Sequence, residues 1–353
     1  MSNQEHTTAV NDQIKVLTAK DLASDQDVRW CPGCGDYSML SQLQRALPEV
    51  GVRKEDIAVV AGIGCSSRFP YYMDTFGLHG IHGRALAIAS GLKTAHPNLS
   101  VWVSTGDGDC LSIGGNHFIH ALRRNVDINV MMFNNQIYAL TKGQYSPTSV
   151  HGQKTKTSPT GVIDHPFNPA LIALGAEGTF VARSMDRDPK HLKEMMIAMH
   201  THHGTAFIDI LQNCVIFNDG AFDLYTNKDT RDDNVVYLEH GKPLVFGKER
   251  DKGLRLDGFH TQVVSLKDYS ENDLIIHNSK SKELAFILAH MNDQPGFPLP
   301  VGIFLDIERV TYEDELAQHI AQAREKQGVG TIESLLYAGQ TWEIVHDNDG
   351  TDA

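Results

Sequence analysis

The chain has 353 residues, room for one large domain or two, and its 41% hydrophobic and 21% charged residues are an ordinary globular balance. Its 31 Lys+Arg against 44 Asp+Glu leave a net charge of −13, which opposes a nucleic-acid grip, because that needs a basic face. The longest apolar runs (Ile57–Ala61, Ala85–Ala89, Val130–Phe133) fall far short of the roughly 20 residues that span a bilayer, and no apolar export segment stands near the start, so the expected location is cytoplasmic.

Residues 1–27 read as a polar lead-in with one apolar patch, Ile14–Leu17. From Tyr37 the pattern alternates. Met39, Leu40, Leu43 and Leu47 repeat at helical spacing up to Pro48, and Ile57–Ile63 reads as a buried strand. A helix over Arg84–Ala95 precedes a strand over Leu99–Thr105, and a helix over Gly115–Arg124 precedes a strand over Ile128–Phe133. After a Gly/Ser/Thr/Pro-rich loop from Gln144 to about His165, the order is helix Pro169–Leu174, strand Thr179–Ala182, helix Pro189–His203 and strand Ala206–Leu211. Strands alternating with helices imply an α/β fold, a parallel sheet with helices on both faces. The stripe Leu192, Met195, Met196, Met199 is read as core packing. From Asn218 to about Lys280 the composition turns charged and irregular, followed by helical patterns at Glu283–Met291 and Glu313–Lys326. The expected organisation is a lead-in (1–27), a binding domain (28–218) and a C-terminal extension (219–353) that packs on the sheet or on a partner chain.

Ligands of parallel α/β sheets bind beyond the carboxyl ends of the strands, so the residues just past each strand map the site. The first strand runs into Gly64-Cys65-Ser66-Ser67-Arg68, the next into Gly106-Asp107-Gly108-Asp109, the third into Asn134-Asn135-Gln136-Ile137-Tyr138, and the last into Gln212-Asn213-Cys214. Gly106 and Gly108 allow backbone to approach a phosphate, Asp107 offers a hard carboxylate and Asn135 an amide oxygen, which suits Mg²⁺ on a diphosphate. The helix beginning near Gly114-Gly115 is expected to turn its N-terminus toward the same place.

Five cysteines in a long chain do not form a disulfide framework. Cys31-Pro32-Gly33-Cys34 is a C-x-x-C whose turn residues let two sulfurs face one metal, and Cys65, Cys110 and Cys214 compete for two further places. Zinc and an iron–sulfur cluster both fit that count. His200, His202 and His203 form a weaker metal candidate, better read as imidazoles meeting a helix C-terminus. The common hydrolase, zincin and dinucleotide fingerprints do not occur.

Trp30-Cys-Pro-Gly-Cys-Gly, Gly62-Ile-Gly-Cys-Ser-Ser-Arg, His82-Gly83-Arg84, Gly106-Asp-Gly-Asp, Asn134-Asn-Gln-Ile-Tyr, Leu140-Thr-Lys-Gly-Gln144 and Cys214 stand in one order over residues 30–218. Together they resemble the β subunit of the 2-oxoacid:ferredoxin oxidoreductases, most closely the 2-oxoglutarate type. The resemblance implies a thiamine diphosphate-binding fold. Mg²⁺ would be held by Asp107, Asn135 and the carbonyl of Ile137. A [4Fe–4S] cluster would sit on Cys31, Cys34, Cys65 and Cys214, leaving Cys110 free. Ile63, Gly64, Cys65, Ser66, His82, Gly106, Gly108, Asp109, Tyr138 and Leu140 would line the cofactor. His82 would act in catalysis, Lys142 in coenzyme A binding and Arg68 in gripping the substrate carboxylate.

The implied reaction is oxidative decarboxylation of 2-oxoglutarate, acyl transfer to coenzyme A and reduction of ferredoxin, reversible in principle. It requires a separate α subunit, in an αβ or α2β2 assembly, and no membrane or nucleic acid. Ferredoxin must be external, since the chain has no C-x-x-C-x-x-C-x-x-x-C run. The alternatives are the same family acting on pyruvate or on 2-oxo acids broadly, a non-redox thiamine-dependent decarboxylase or carboligase with structural zinc, and a non-catalytic binding scaffold.

Overall fold

The computed structural model describes residues 17–291 and 294–344. Of the Ile14–Leu17 patch, only Leu17 falls within the described residues. The chain divides into two compact units, one up to Glu313 and one from Asp314 onward.

The first unit is built on an eight-stranded sheet. In chain order its strands are β1 (Ile57–Ala61), β2 (Phe76–His79), β3 (Ser100–Gly106), β4 (Asn129–Asn134), β5 (Phe180–Met185), β6 (Ala206–Leu211) and β7 (Val235–Leu238); three further strands, β8 (Val245–Phe246), β9 (Lys252–Asp257) and β10 (His260–Ser265), precede the last, β11 (Leu299–Asp306). The sheet order is β2-β1-β3-β4-β6-β5-β11-β7, while β8, β9 and β10 form a small antiparallel sheet. The first six strands pair in parallel, and β11 runs antiparallel to β5 and parallel to β7. Two of the eight strands thus come from the C-terminal third.

Alternation along the central strands splits the core between the two faces. Val130 and Met132 of β4 pack with Phe118, Leu122, Phe207 and Leu288 on one face. Met131 and Phe133 pack with Met39, Leu43, Met196 and Met199 on the other. The helices Asp36–Val50 and Pro189–Thr201 cover this second face, so the Met stripe is core, as expected. Asp188 caps the latter helix by accepting from His191 N at 3.3 Å, and Pro189 fits the first turn, where its missing N–H costs nothing.

Three features differ from the expectations drawn from sequence. Pro48 does not end the first helix, which runs to Val50 and stops at Gly51 in the left-handed conformation (φ 74°). A proline in the last turn forfeits one hydrogen bond, whereas a left-handed residue ends the ladder. Edge strand β2 was not expected from sequence because it is only four residues long, with just two apolar side chains, Phe76 and Leu78, both exposed. The stretch read as irregular contains β7 to β10; Gly258 (φ 62°) and Phe259 form the two-residue turn between β9 and β10, for which a glycine at the first central position was the available signal. In the second unit, the stripe residue Ile320 and the residues Ile332, Leu335, Leu336 and Trp342 are exposed.

Candidate functional site

After β1 the chain steps outward to β2, then returns to place β3 on the other side of β1. This reversal opens a crevice at the carboxyl ends of β1 and β3. A cleft of about 220 Å³ lies there, and Ile63, Gly64, Cys65, Ser66, His82, Gly106, Asp107, Gly108, Asp109, Asn135, Ile137, Tyr138 and Leu140 all line it, together with Asp36 and Gln212. Every expected cofactor-lining residue and all three expected magnesium-holding residues are therefore in one place. Gly114 and Gly115 are not among the lining residues, because the short helix Asp107–Leu111 stands between β3 and the helix Gly115–Arg124.

Asp107 is buried at the start of that short helix. Ser146 Oγ and Thr148 Oγ1 both donate to its Oδ2, at 2.5 Å each. Thr148 is also within 3.0 Å of Asn134 Oδ1, and Asn134 Nδ2 donates to Asp209 Oδ1 at 2.9 Å. Burial pushes the Asp107 carboxyl up to about 6 against those donors, a cost that a divalent cation would relieve. Gly108 is required by close approach: a Cβ there would sit 2.2 Å from Tyr138 Cε1, and the Tyr138 hydroxyl donates to Gly108 O at 3.0 Å. Neither Ser146 nor Thr148 was expected from sequence, since both lie in the long loop that carries no periodicity.

Asp109 is the organiser of the crevice rather than a free ligand. Its Oδ1 accepts from Ile63 N at 3.0 Å and Gly83 N at 2.7 Å and pairs with His82 Nδ1 at 2.7 Å, while its Oδ2 accepts from Thr105 Oγ1 at 2.7 Å. Two loops and the end of β3 are thus tied to one buried carboxylate. Asp109→Ala will strand several buried donors and lower unfolding stability by about 3 kcal/mol, read from the urea midpoint of the chain. A loss below the error of that measurement would show that the loops hold themselves.

The fit to a cofactor can be judged from polar atoms left over. Ser66 Oγ is buried without a hydrogen-bond partner among the described residues, the Asp36 carboxyl is buried with the Cys34 thiol beside it, and both side chains line the cleft. Burial pushes Asp36 up to about 7, with the Cys34 thiol pulling the other way. A thiamine diphosphate with its cation meets this donor set: a carboxylate, an amide and glycine-flanked backbone for the diphosphate, and an unused hydroxyl and a buried carboxyl alongside.

Four of the five cysteines share a neighbourhood at one side of the cleft. The Cys65 thiol is pushed up to about 12 by burial and by Asp36, with Cys214 and Cys31 adding to it. Cys34 is pushed up by burial and Asp36, with Cys65 and Cys214 adding. Cys110 is wholly buried and raised by burial and by Asp109 and Asp107, with no other thiol bearing on it. All five are free, and no group of three or more His, Cys, Asp or Glu among the described residues is gathered tightly enough to hold a metal ion as it stands.

Two expected catalytic residues lie outside the cleft lining. Arg68 is half-buried beside Cys65 and donates from Nε to Tyr72 Oη at 3.0 Å. Lys142 is exposed at φ 82° in the tight turn just past Tyr138–Thr141, on the cleft rim. The three histidines part company: His200 lies over Trp102, His202 pairs with Asp306 at 2.9 Å, and His203 is 3.9 Å from Asp127. Burial lowers the His200 pKa, so the expected helix-end imidazolium is not what that residue offers.

Residues 62–210 match the thiamine pyrophosphate enzyme, C-terminal TPP binding domain. The 2-oxoglutarate oxidoreductase subunit KorB of Mycobacterium tuberculosis is 49% identical over 329 residues, covering 92% of this chain and 88% of that one. The chain belongs to the family of 2-oxoacid:ferredoxin oxidoreductase β subunits. A β subunit of this family from Aeropyrum pernix is 38% identical over 82% of this chain and 81% of its own. Among solved structures, the 2-oxoglutarate:ferredoxin oxidoreductase from Magnetococcus marinus, with 2-oxoglutarate, coenzyme A and succinyl-CoA bound, superposes with a TM-score of 0.73 at 32% identity, covering 92% of this chain and 96% of that one. As a family member, the chain has the parallel thiamine-binding sheet whose crevice holds the residues named here. Among the described residues no helix is long and apolar enough to cross a membrane.

Proposed function

We propose that this chain is the β subunit of a coenzyme A-dependent 2-oxoglutarate:ferredoxin oxidoreductase, and that it works in the cytoplasm with a separate α subunit. The observation that carries the reading is the double place of Cys65. It lines the cleft beside Asp107 and Ser66, and its thiol belongs to the neighbourhood of Cys31, Cys34 and Cys214. A cofactor in the cleft would therefore sit next to an electron acceptor. The substrate choice is supported by the 2-oxoglutarate proteins among the relatives and by the ligands of the Magnetococcus marinus enzyme.

In this reading Asp107, Asn135 and the carbonyl of Ile137 hold Mg²⁺, and Cys31, Cys34, Cys65 and Cys214 hold a [4Fe–4S] cluster. When bound there, thiamine diphosphate would supply an electron sink for loss of CO₂ and the cluster a one-electron route to an external ferredoxin. His82 faces Asp109 through Nδ1, which turns its Nε2 edge away from that carboxylate. Tyr138 closes the cleft over Gly108. Lys142 stands at the rim, where the phosphates of coenzyme A would pass, and Arg68 supplies a cation beside Cys65 for the substrate carboxylate. Residues 28–218 hold the cofactors; residues 219–353, with exposed Ile332, Leu335 and Trp342, meet the α subunit.

The test is anaerobic turnover. The complex reconstituted with its α subunit will reduce ferredoxin only when 2-oxoglutarate and coenzyme A are both present, and the purified β chain alone will be inactive. Arg68→Lys will raise KM for 2-oxoglutarate more than for pyruvate. Turnover by the single chain would remove the need for a partner, and outright preference for pyruvate would overturn the substrate while leaving the family intact.

A further inference from the structure

Gln212 stands just past β6, is 1% exposed and has no role yet assigned to it. Its backbone N–H donates to Asn134 O at 2.9 Å, continuing the β4–β6 pairing one residue past the strand ends. Its side-chain amide is fully committed. Nε2 donates to Asn213 O at 2.7 Å, and since a carbonyl only accepts, this fixes which end of the amide is the NH₂ group. Oε1 then faces Asn135 and accepts from Asn135 Nδ2 at 2.8 Å. Asn135 is therefore turned so that Oδ1, which accepts from Ile137 N at 3.2 Å, lies on the side of the Ile137 loop. The same Nε2 also donates to Cys34 Sγ at 3.3 Å.

The packing holds this arrangement in register. A Cβ on Gly35 would sit 2.8 Å from Gln212 Cγ and 2.1 Å from Asp186 Oδ2, so the Cys31–Gly35 turn is pressed directly onto the glutamine. Asp186 in turn accepts from Asn213 N at 2.8 Å, which anchors the backbone carrying Gln212.

We propose that Gln212 is a positioning residue that couples the two cofactor sites: one amide presents the Asn135 oxygen to the magnesium of thiamine diphosphate and donates a hydrogen bond to the Cys34 sulfur of the cluster. The inference rests on the cofactor assignment under Proposed function. Groups that orient a metal ligand from behind typically change metal affinity ~10–100-fold when lost. A hydrogen bond donated to a ligating sulfur draws charge from it, stabilises the reduced cluster and raises its potential.

The experiment uses the assembled αβ enzyme and two variants. Gln212→Met keeps length and neutrality but neither accepts from Asn135 nor donates to Cys34. Gln212→Glu keeps an acceptor for Asn135 and, when ionised, lacks the donor. Magnesium-dependent thiamine diphosphate affinity is read by calorimetry and the cluster potential by EPR-monitored redox titration. Gln212→Met is expected to bind the cofactor ~10-fold less tightly and to shift the potential negative. Gln212→Glu is expected to recover the affinity while the potential stays negative; this split decides the matter even if the Met variant does not fold. Full iron content with an unmoved potential in both variants would overturn the link to Cys34, and equal loss of affinity in both would overturn the role at Asn135. Absence of iron from the wild-type complex would instead overturn the cluster assignment on which the inference rests.

Discussion

Asp107→Asn is expected to weaken magnesium-dependent thiamine diphosphate binding ~100-fold or more while making the cofactor-free chain more stable at pH 8. The two effects have one cause. Asp107 is 2% exposed, and burial raises its folded-state pKa from 3.8 to about 6. A carboxyl that binds its proton more tightly when folded contributes stability at low pH and loses it as pH rises from the unfolded value through the folded one. Between about pH 4 and pH 6 the cofactor-free wild type will therefore lose up to ~3 kcal/mol through this residue. The asparagine variant, with nothing to ionise, will not. Mg²⁺ reverses the balance, because the ionised carboxylate is the one charged oxygen in the set with Asn135 and the Ile137 carbonyl. Calorimetric titration and urea unfolding at pH 4.5 and pH 8 read both sides. Unchanged cofactor affinity would return Gly106-Asp107-Gly108 to the status of a structural turn.

The second large effect concerns the thiols. Serine at Cys31, Cys34, Cys65 or Cys214 should each strip most of the iron and bleach the visible absorbance of anaerobically purified protein, because loss of one thiolate opens the cluster to solvent and exchange. Cys110→Ser should keep both. The contrast is drawn from environment: Cys65 bears on Cys31 and Cys214, and Cys34 on Cys65 and Cys214, whereas Cys110 bears only on Asp107 and Asp109. Iron retained at wild-type level in Cys214→Ser, or lost in Cys110→Ser, would reassign the ligands. Zinc in place of iron in the wild type would revive the non-redox thiamine enzyme.

The strand-end residues were legible because a parallel sheet has one rule for where ligands go. Once Ile57–Ile63, Leu99–Thr105, Ile128–Phe133 and Ala206–Leu211 read as strands, the residues just past each of them had to share one edge. That reasoning places Cys65, Asp107, Asn135 and the Gln212–Cys214 segment on the same side without any knowledge of strand order. The C-x-x-C was legible for a similar local reason, as two sulfurs three residues apart across a Pro-Gly turn. The C-terminal strands were not, because β7 and β11 are ordinary apolar runs whose neighbours in the sheet are separated from them by long stretches of chain.

Sequence by itself determined the chemistry: a hard-oxygen set suited to a cation on a diphosphate, cysteines enough for a metal or cluster, and the crevice edge they share. Only the tertiary structure decided which atoms act together. Asn135 meets Gln212 because β4 lies beside β6 and pairs Asn134 with Leu211, so the next residue of each strand falls in contact across 77 positions of sequence. Gln212 meets Cys34 across 178 positions because the Cys31–Gly35 turn is pressed on it. Ser146 and Thr148 reach Asp107 from a loop with no periodic pattern. Spacing along the chain is a one-dimensional record of local geometry, and a hydrogen bond between distant residues depends on strand order and on how each loop folds back, which it does not carry.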